Sequence, residues 1–294
     1  MNQFLKRYEE FLDVKKLKEV KILKAIRINT VKIPEKELGK RLAAENVELE
    51  KIDFLDSSYL VKKSRFSMGS SPEHLQGYYY VQEAASQLPV QVLNPNENEK
   101  VLDMAASPGG KTTQISQYMN NNGILIAVEK ERHRINAIKN NIERMGVKNC
   151  IVYNMNALDV GKLGMEFDKI LLDAPCSGSF ITDPKWFDKK SVRGFHERQE
   201  LQKQLLEAGI SVLKKNGILV YSTCSLEPEE NEEVIDWALA NLPVKLEKID
   251  LKVGIPALPE FQSKKFGKDL NKCIRIVPYD NNTQPFFIAK LTKK

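Results

Sequence analysis

"VLDMAASPGGKTTQI", Val101 to Ile115, decides the fold: an apolar, strand-like start runs into a loop of small residues and then into a helix. Its end, Gly110-Lys111-Thr112, matches the close of a phosphate loop, and a later apolar run ending in an acid, "KILLDAP", stands where a Walker B strand would. The phosphate-loop pattern G-x-x-x-x-G-K-[ST] requires glycine at position 105, and this chain has Ala105. The stretch therefore also admits a loop built for a different nucleotide-like ligand.

Working outward, the same alternation repeats. "GILIAVEK" precedes the helical "ERHRINAIKNNIERMG", "CIVYNMNA" leads to a short irregular crossover, and "FDKILLDAP" leads through a polar segment to a long helix ending at "LLEAGISVLKK". "GILVYSTCS" and the helix "PEENEEVIDWALANL" follow, and "CIRIVPY" with "PFFIAKL" reads as a closing antiparallel hairpin around "DNNTQ". Five apolar strands separated by helices predict an α/β fold with a doubly wound, mainly parallel sheet, brought to seven strands by the hairpin. Upstream, one amphipathic helix, the strand "AIRINTV", a helix opening near Pro34 and strands at "LEKIDFL" and "SYLVKK" predict a small N-terminal α/β domain over residues 1–72. Residues 73–294 form the larger domain, opening with the aromatic strand of "GYYYVQEAAS".

At 294 residues, 42% hydrophobic and 29% charged, the chain has the composition of a globular protein with a substantial core. No run approaches the roughly 18 apolar residues of a spanning helix, which argues against a membrane role. The start mixes acids and bases through a helical pattern, unlike a secretory signal, so a cytoplasmic protein is expected. Four widely spaced cysteines without C-x-x-C pairs argue against metal and against a disulfide framework. A net charge of +6, with lysines concentrated near the N-terminus and in "SKKFGKDLNK", suits a polyanionic partner and a solvated surface equally.

Ligands of doubly wound sheets sit at the carboxyl ends of strands near the switch point. There, Ala105, Ala106, Ser107, Pro108, Gly109, Gly110 and Lys111 supply small residues where backbone must approach a ligand before a helix begins. Glu129 closes the next strand, placed to accept hydrogen bonds from two ribose hydroxyls. A phosphate-loop protein does not need that carboxylate, and the G-x-G-x-x-G of nicotinamide enzymes is absent, which favours S-adenosylmethionine over NAD and ATP.

Asp173-Ala174-Pro175-Cys176 ends the fourth of these strands and Ser222-Thr223-Cys224-Ser225 the fifth. Either cysteine alone reads best as a small buried residue. With the two strands adjacent, both thiols face one cleft beside the cofactor loop, and a covalent mechanism becomes the better reading. A thiolate adding to C6 of cytosine turns C5 into a nucleophile for a sulfonium methyl, and a second group must then take the C5 proton. Lys111 is a candidate for favouring the thiolate, and Asp173 for holding the base edge. The residues alone do not rank the two thiols.

"DMAASPGGKT", "VEKERHRINAIKNN", "ILLDAPCSGSF", "RQELQKQLLEAG", "NGILVYSTCSLEPEENEEVI" and "IRIVP" with "FFIAKL" resemble the Nop/Sun family of S-adenosylmethionine-dependent RNA cytosine-C5 methyltransferases, in its archaeal tRNA-modifying form. The likeness covers about Gly77 to Leu291, and "IRINTVK" extends it upstream. It implies a Rossmann-like class I methyltransferase in which Ala105 to Lys111 bind the methionine part of the cofactor, Glu129 its ribose, and Arg134 lies nearby. It further implies Asp173 between cofactor and base, Cys224 as nucleophile, and Cys176 assisting product release.

One departure stands out: the family's Asp for the adenine amino group is Asn156 here, in "NMNALD", which predicts weaker or altered cofactor binding. With few appended parts, the expected partner is RNA, transfer RNA ahead of ribosomal RNA, bound by a monomer through the N-terminal unit and the catalytic face. Trp186 and Phe187 in "TDPKWFDKKSVRGF" read as a surface loop over the cleft, Tyr78 to Tyr80 as core, and His196 and Arg198 as helix-start residues within reach of phosphate. The rivals are an RNA-binding assembly factor with weak or lost activity, hinted at only by Asn156, and a P-loop ATPase.

Overall fold

Runs of Val, Ile and Leu that are buried on both faces can only be central strands, and four such runs organise the molecule. In the computed structural model, which describes residues 3–294, they are β5 (Lys100–Asp103), β6 (Ile124–Glu129), β8 (Phe167–Asp173) and β9 (Leu213–Thr223), with β7 (Cys150–Asn154) beside β6. These five pair in parallel in the order β9-β8-β5-β6-β7. The chain leaves β5 toward β6 and β7, then returns to the other side for β8 and β9. The switch point, and hence the ligand crevice, lies between β5 and β8.

The closing hairpin is present. β14 (Ile274–Ile276) and β15 (Phe286–Lys293) pair antiparallel, and β15 also pairs with β9. Two strands go beyond the expected seven: β10 (Val244–Glu247) adds to β15 and β11 (Ile255–Pro256) adds to β14, giving a nine-stranded sheet. β10 is half polar and β11 only two residues long, so edge pairing rather than their own pattern makes them strands. A two-residue ribbon, β12 (Glu260–Phe261) with β13 (Lys264–Lys265), lies nearby.

The two faces of the sheet carry separate clusters. Leu102, Phe167, Ile170, Leu206 and Tyr221 lie in one, Leu88, Val101, Ile115, Leu171 and Val220 in the other. Their covering helices include α5 (Leu88–Leu93), α6 (Gly110–Tyr118), α7 (Arg132–Met145), α9 (Val192–Ser211) and α10 (Glu232–Asn241). α7 stops at Gly146, whose φ of +72° continues no right-handed helix. α9 starts at Ser191, whose hydroxyl accepts from the Gly194 amide.

The N-terminal part forms a second, four-stranded antiparallel sheet in the order β2-β3-β1-β4 from Glu48–Lys51, Ser58–Lys63, Ala25–Ile28 and Tyr79–Val81, with α3 (Glu35–Ala44) packed on it. Because β4 belongs to this sheet, the unit reaches past the residue-72 boundary expected from sequence. The turn α4 (Pro72–Leu75) lies inside it rather than at its edge. The sheet docks on α6 and α7: Asn29 donates to Met145 O, Arg27 to Thr113 Oγ1, and Gln117 to Ile28 O.

The expected first helix is two, α1 (Gln3–Tyr8) and α2 (Val14–Glu19), divided at Asp13, whose carboxylate caps α2. Among the described residues, those of α1 belong to a different cluster from the small sheet's core. Phe4, Leu5 and Tyr8 bury themselves against Trp186, Phe195 and Leu226 of the larger domain. α8 (Trp186–Lys189) and α11 (Pro278–Asn281) complete the helices.

Candidate active site

The loop after β5 is held from inside. Asp103, 1% exposed, accepts from the Ala105 amide at 3.3 Å and from Thr112 Oγ1 at 2.7 Å, tying the loop's start to α6. Gly109 has a φ of +106°, which restricts the position to glycine, while a side chain on Gly110 would meet the Tyr80 ring at 3.3 Å. The closeness that Gly110 permits is therefore to a tyrosine of β4, a reason the sequence reading assigned to a ligand. Tyr79 is buried with its hydroxyl on Met68 O, in keeping with a core strand.

Beside this loop opens a cleft of about 340 Å³ lined by Ala105, Ser107, Glu129, Arg134, Asn156, Asp173, Cys176, Arg198 and Cys224, among others. Glu129 is only 6% exposed; one carboxylate oxygen accepts from the Glu131 amide, and the other lies 3.7 Å from Arg134 Nη1. Arg134 also reaches Ser107 O, so it spans the strand end and the loop. Asn156 caps the following turn, its Oδ1 accepting from Leu158 N at 3.1 Å. Every predicted site residue but Gly109, which is buried, lies on this cleft or on its adjoining recess.

Lys111 crosses from α6 to β8. Its Nζ is 2.7 Å from Asp173 Oδ2, and the other oxygen of Asp173 accepts from Ser222 Oγ at 2.7 Å. Burial opposes the ammonium's charge, but Asp173 outweighs it and keeps the Lys111 pKa above its ordinary value.

The two thiols meet: Cys176 Sγ and Cys224 Sγ are 3.3 Å apart. The pair is polarised. The hydrogen bond from Cys176 holds Cys224 below the ordinary thiol range, with Lys111 adding to it against burial and the Asp173 carboxylate. That same bond, with burial, drives Cys176 well above the range.

Two carboxyls that sequence reasoning missed surround this centre. Glu83, in "VQEAAS", faces the recess beside Lys111 and accepts from the Gln284 and Ser86 amides, yet burial pushes it up to about 7. Burial likewise pushes Asp103 up to about 6. Asp103 shares with Asp173 the signal of an acid ending an apolar strand; nothing in the sequence marks Glu83. Both bind a proton more tightly folded than unfolded, as does Glu227, which burial also pushes up to about 7, so the contribution of these three carboxyls to stability is greatest at low pH and falls as pH rises through about 6 to 7. Urea unfolding at pH 8 should show about 3 kcal/mol less stability than at pH 6. Constant stability across that interval would remove the three carboxyls from this role.

Trp186 corrects the sequence reading. It is 2% exposed, its Nε1 donates to Ser177 O, and its ring packs edge-on against Phe4. It supports the Cys176 loop from beneath, because α1 covers it; the polar residues around it stay at the surface. Arg198 lines the thiol cleft, whereas His196, also exposed, does not.

α1 also grips the loop after Cys224. Arg7 Nη2 lies 3.1 Å from Glu227 Oε2 and 2.6 Å from Glu229 Oε1, and Tyr8 donates its hydroxyl to Glu227.

Residues 90–292 match the family described as 16S rRNA methyltransferase RsmB/F, and residues 1–84 match the N-terminal domain of 16S rRNA methyltransferase RsmF. The tRNA (cytosine(49)-C(5))-methyltransferase of Pyrococcus abyssi is 40% identical over 92% of this chain and 88% of its own length. The 28S rRNA (cytosine-C(5))-methyltransferase of Mus musculus is 37% identical over 91% of this chain, which spans only 35% of that relative. A solved methyltransferase homolog protein from Pyrococcus horikoshii superimposes with a TM-score of 0.88 at 40% identity, covering 96% of this chain and 89% of that one.

Proposed function

The chain belongs to the 16S rRNA methyltransferase RsmB/F family, and from that premise we propose that it methylates C5 of cytidine in RNA, with transfer RNA as its substrate and S-adenosylmethionine as methyl donor. The observation that carries the reading is the polarised thiol pair, 3.3 Å apart, at the end of a nucleoside-sized cleft. The tRNA preference is supported by the archaeal relative, which this chain nearly spans. Ribosomal RNA is the second reading, favoured by the name of the matching family.

The residues fit the cofactor. Glu129 presents a nearly buried carboxylate for ribose hydroxyls, the loop from Ala105 to Lys111 walls the side where an amino-acid moiety would lie, and Asn156 Oδ1 keeps a lone pair for an amino group. Being neutral, Asn156 offers that group less than a carboxylate would. S-adenosylmethionine, when bound, supplies an electrophilic methyl group.

The protein's own part begins with Cys224. Its thiolate bonds to C6 of cytosine, the pyrimidine electrons shift toward C5, and C5 becomes the nucleophile. Asp173, fixed by Lys111 and Ser222, holds the base edge. Once C5 carries the methyl group, its proton must leave before the C6–S bond can break and return the electron pair to Cys224. Cys176 is the second thiol at this point and assists release. RNA enters over the catalytic face, with the N-terminal sheet as its second contact; the target base must leave its stack to reach sulfur.

Incubation with methyl-labelled S-adenosylmethionine and separated transfer and ribosomal RNA should place label on C5 of cytidine, in the transfer RNA fraction. Bisulfite sequencing of RNA from cells with and without the protein then locates the position. Label on another atom, or none with either RNA, would sink the reading; label confined to ribosomal RNA would change the substrate.

A further inference from the structure

The stretch "PEEN" after Cys224 has no part in the chemistry above, yet its last two residues hold both thiol loops. Glu230 is fully buried and accepts from Ser177, the residue after Cys176, twice: from the amide at 3.0 Å and from Oγ at 3.0 Å. Asn231, next in the chain and also fully buried, grips the residues on either side of Cys224. Its Oδ1 accepts from Thr223 Oγ1 at 2.5 Å and its Nδ2 donates to Ser225 O at 3.0 Å. The Tyr221 hydroxyl donates to Glu230 O, which fastens this pair to β9 itself.

We propose that Glu230 and Asn231 together are positioning residues that set the spacing of the two thiols, each holding the loop of one. The proposal rests on the reading of Cys224 as nucleophile and adds what keeps it beside its partner. The two sulfurs come from the ends of separate strands, and nothing covalent fixes their distance. An S–H donor moved by an ångström no longer makes a useful hydrogen bond. A single dipeptide with one side chain on each loop makes the two loops move as one body. The side chains are chemically specific for this. An amide alone offers both the acceptor for Thr223 and the donor for Ser225, and a carboxylate offers two acceptors to Ser177.

Cys224 is faced by Cys176, by Asp173 from β8, by Lys111 from α6 and by Glu230, with Arg198 of α9 on the same cleft. Of these contacts, loosening Asn231 acts mainly on the bond from Cys176. The test is the pH profile of Cys224 alkylation by iodoacetamide, read by mass spectrometry on the full chain without RNA or cofactor. In Asn231→Ala the alkylation midpoint should rise by about one pH unit, a tenfold loss of thiolate at neutral pH. Methyl transfer should fall at least tenfold, while the dissociation constant for S-adenosylhomocysteine stays within twofold. In a Cys176→Ala background the same substitution should leave the midpoint where it is, since the bond it disturbs is gone.

A profile superimposable on the parent's, or a shift that persists without Cys176, overturns the proposal. Should Asn231→Ala not fold, Ser177→Ala keeps the amide contact to Glu230 and loses only the hydroxyl. A midpoint raised by about half a unit, threefold less thiolate, supports the proposal, and an unmoved one overturns it. An inactive parent would instead defeat the proposed reaction and leave the alkylation result standing.

Discussion

Cys224→Ala is expected to abolish methyl transfer, by at least about 10⁴-fold, and with it any covalent complex between protein and RNA. The reasoning starts at carbon: C5 of cytosine is too weak a nucleophile to take a methyl group until a bond forms at C6. Cys224 is the thiol held toward its ionised form, and Cys176 is the one held toward its protonated form. Cys176→Ala should therefore still form the adduct and should accumulate it, visible on a denaturing gel as RNA-linked protein carrying a methylated base. Thermal melting should change little in either variant, since a one-atom truncation in a half-buried site removes little packing. If the adduct accumulates in Cys224→Ala and vanishes in Cys176→Ala, the two roles are exchanged.

Lys111→Met should lower kcat/KM by about 10²- to 10³-fold. Methionine keeps most of the side-chain volume and removes the charge, so the loss reports on electrostatics. Two effects combine: Asp173 loses the ammonium at 2.7 Å that fixes one of its oxygens, and Cys224 loses the cation that favours its thiolate. The second effect has a sign in pH. Without Lys111 the Cys224 thiol titrates higher, so the deficit should be largest near pH 7 and should narrow toward pH 9 as the thiolate is restored by mass action. A deficit of equal size at both pH values would confine Lys111 to holding Asp173. The lysine that resembles a phosphate-loop residue in sequence is, in three dimensions, paired with a carboxylate.

What the sequence discloses and what it withholds divide along a physical line. The central strands are legible because burial on both faces demands uninterrupted Val, Ile and Leu, and their carboxyl ends name the site. Cys176 and Cys224 could be paired from sequence because neighbouring parallel strands must bring their ends together. Trp186 could not be placed. Its neighbours are polar, and the helix that buries it, through Phe4, comes from the far end of the chain. Gly110 points to close approach, but the sequence does not say that the approaching group is Tyr80. Strands β10 and β11 are drawn out by the edges of β15 and β14, so their own residues carry little signal. The roles of Glu230 and Asn231 depend on which backbone groups lie opposite, information that no spacing encodes.

The contact of α1 with the loop after Cys224 imposes an order on synthesis. Arg7 precedes its acceptors Glu227 and Glu229 by 220 and 222 residues. At about 5–20 residues per second on a ribosome, the helix emerges roughly ten to forty seconds before there is anything for it to hold. Until Trp186 and Phe195 have been made, Phe4, Leu5 and Tyr8 await the aromatic surface they pack against in the folded chain. A segment made well before the loop it holds is thus a closing bolt. A chain still being translated lacks the fastening between α1 and the loop after Cys224.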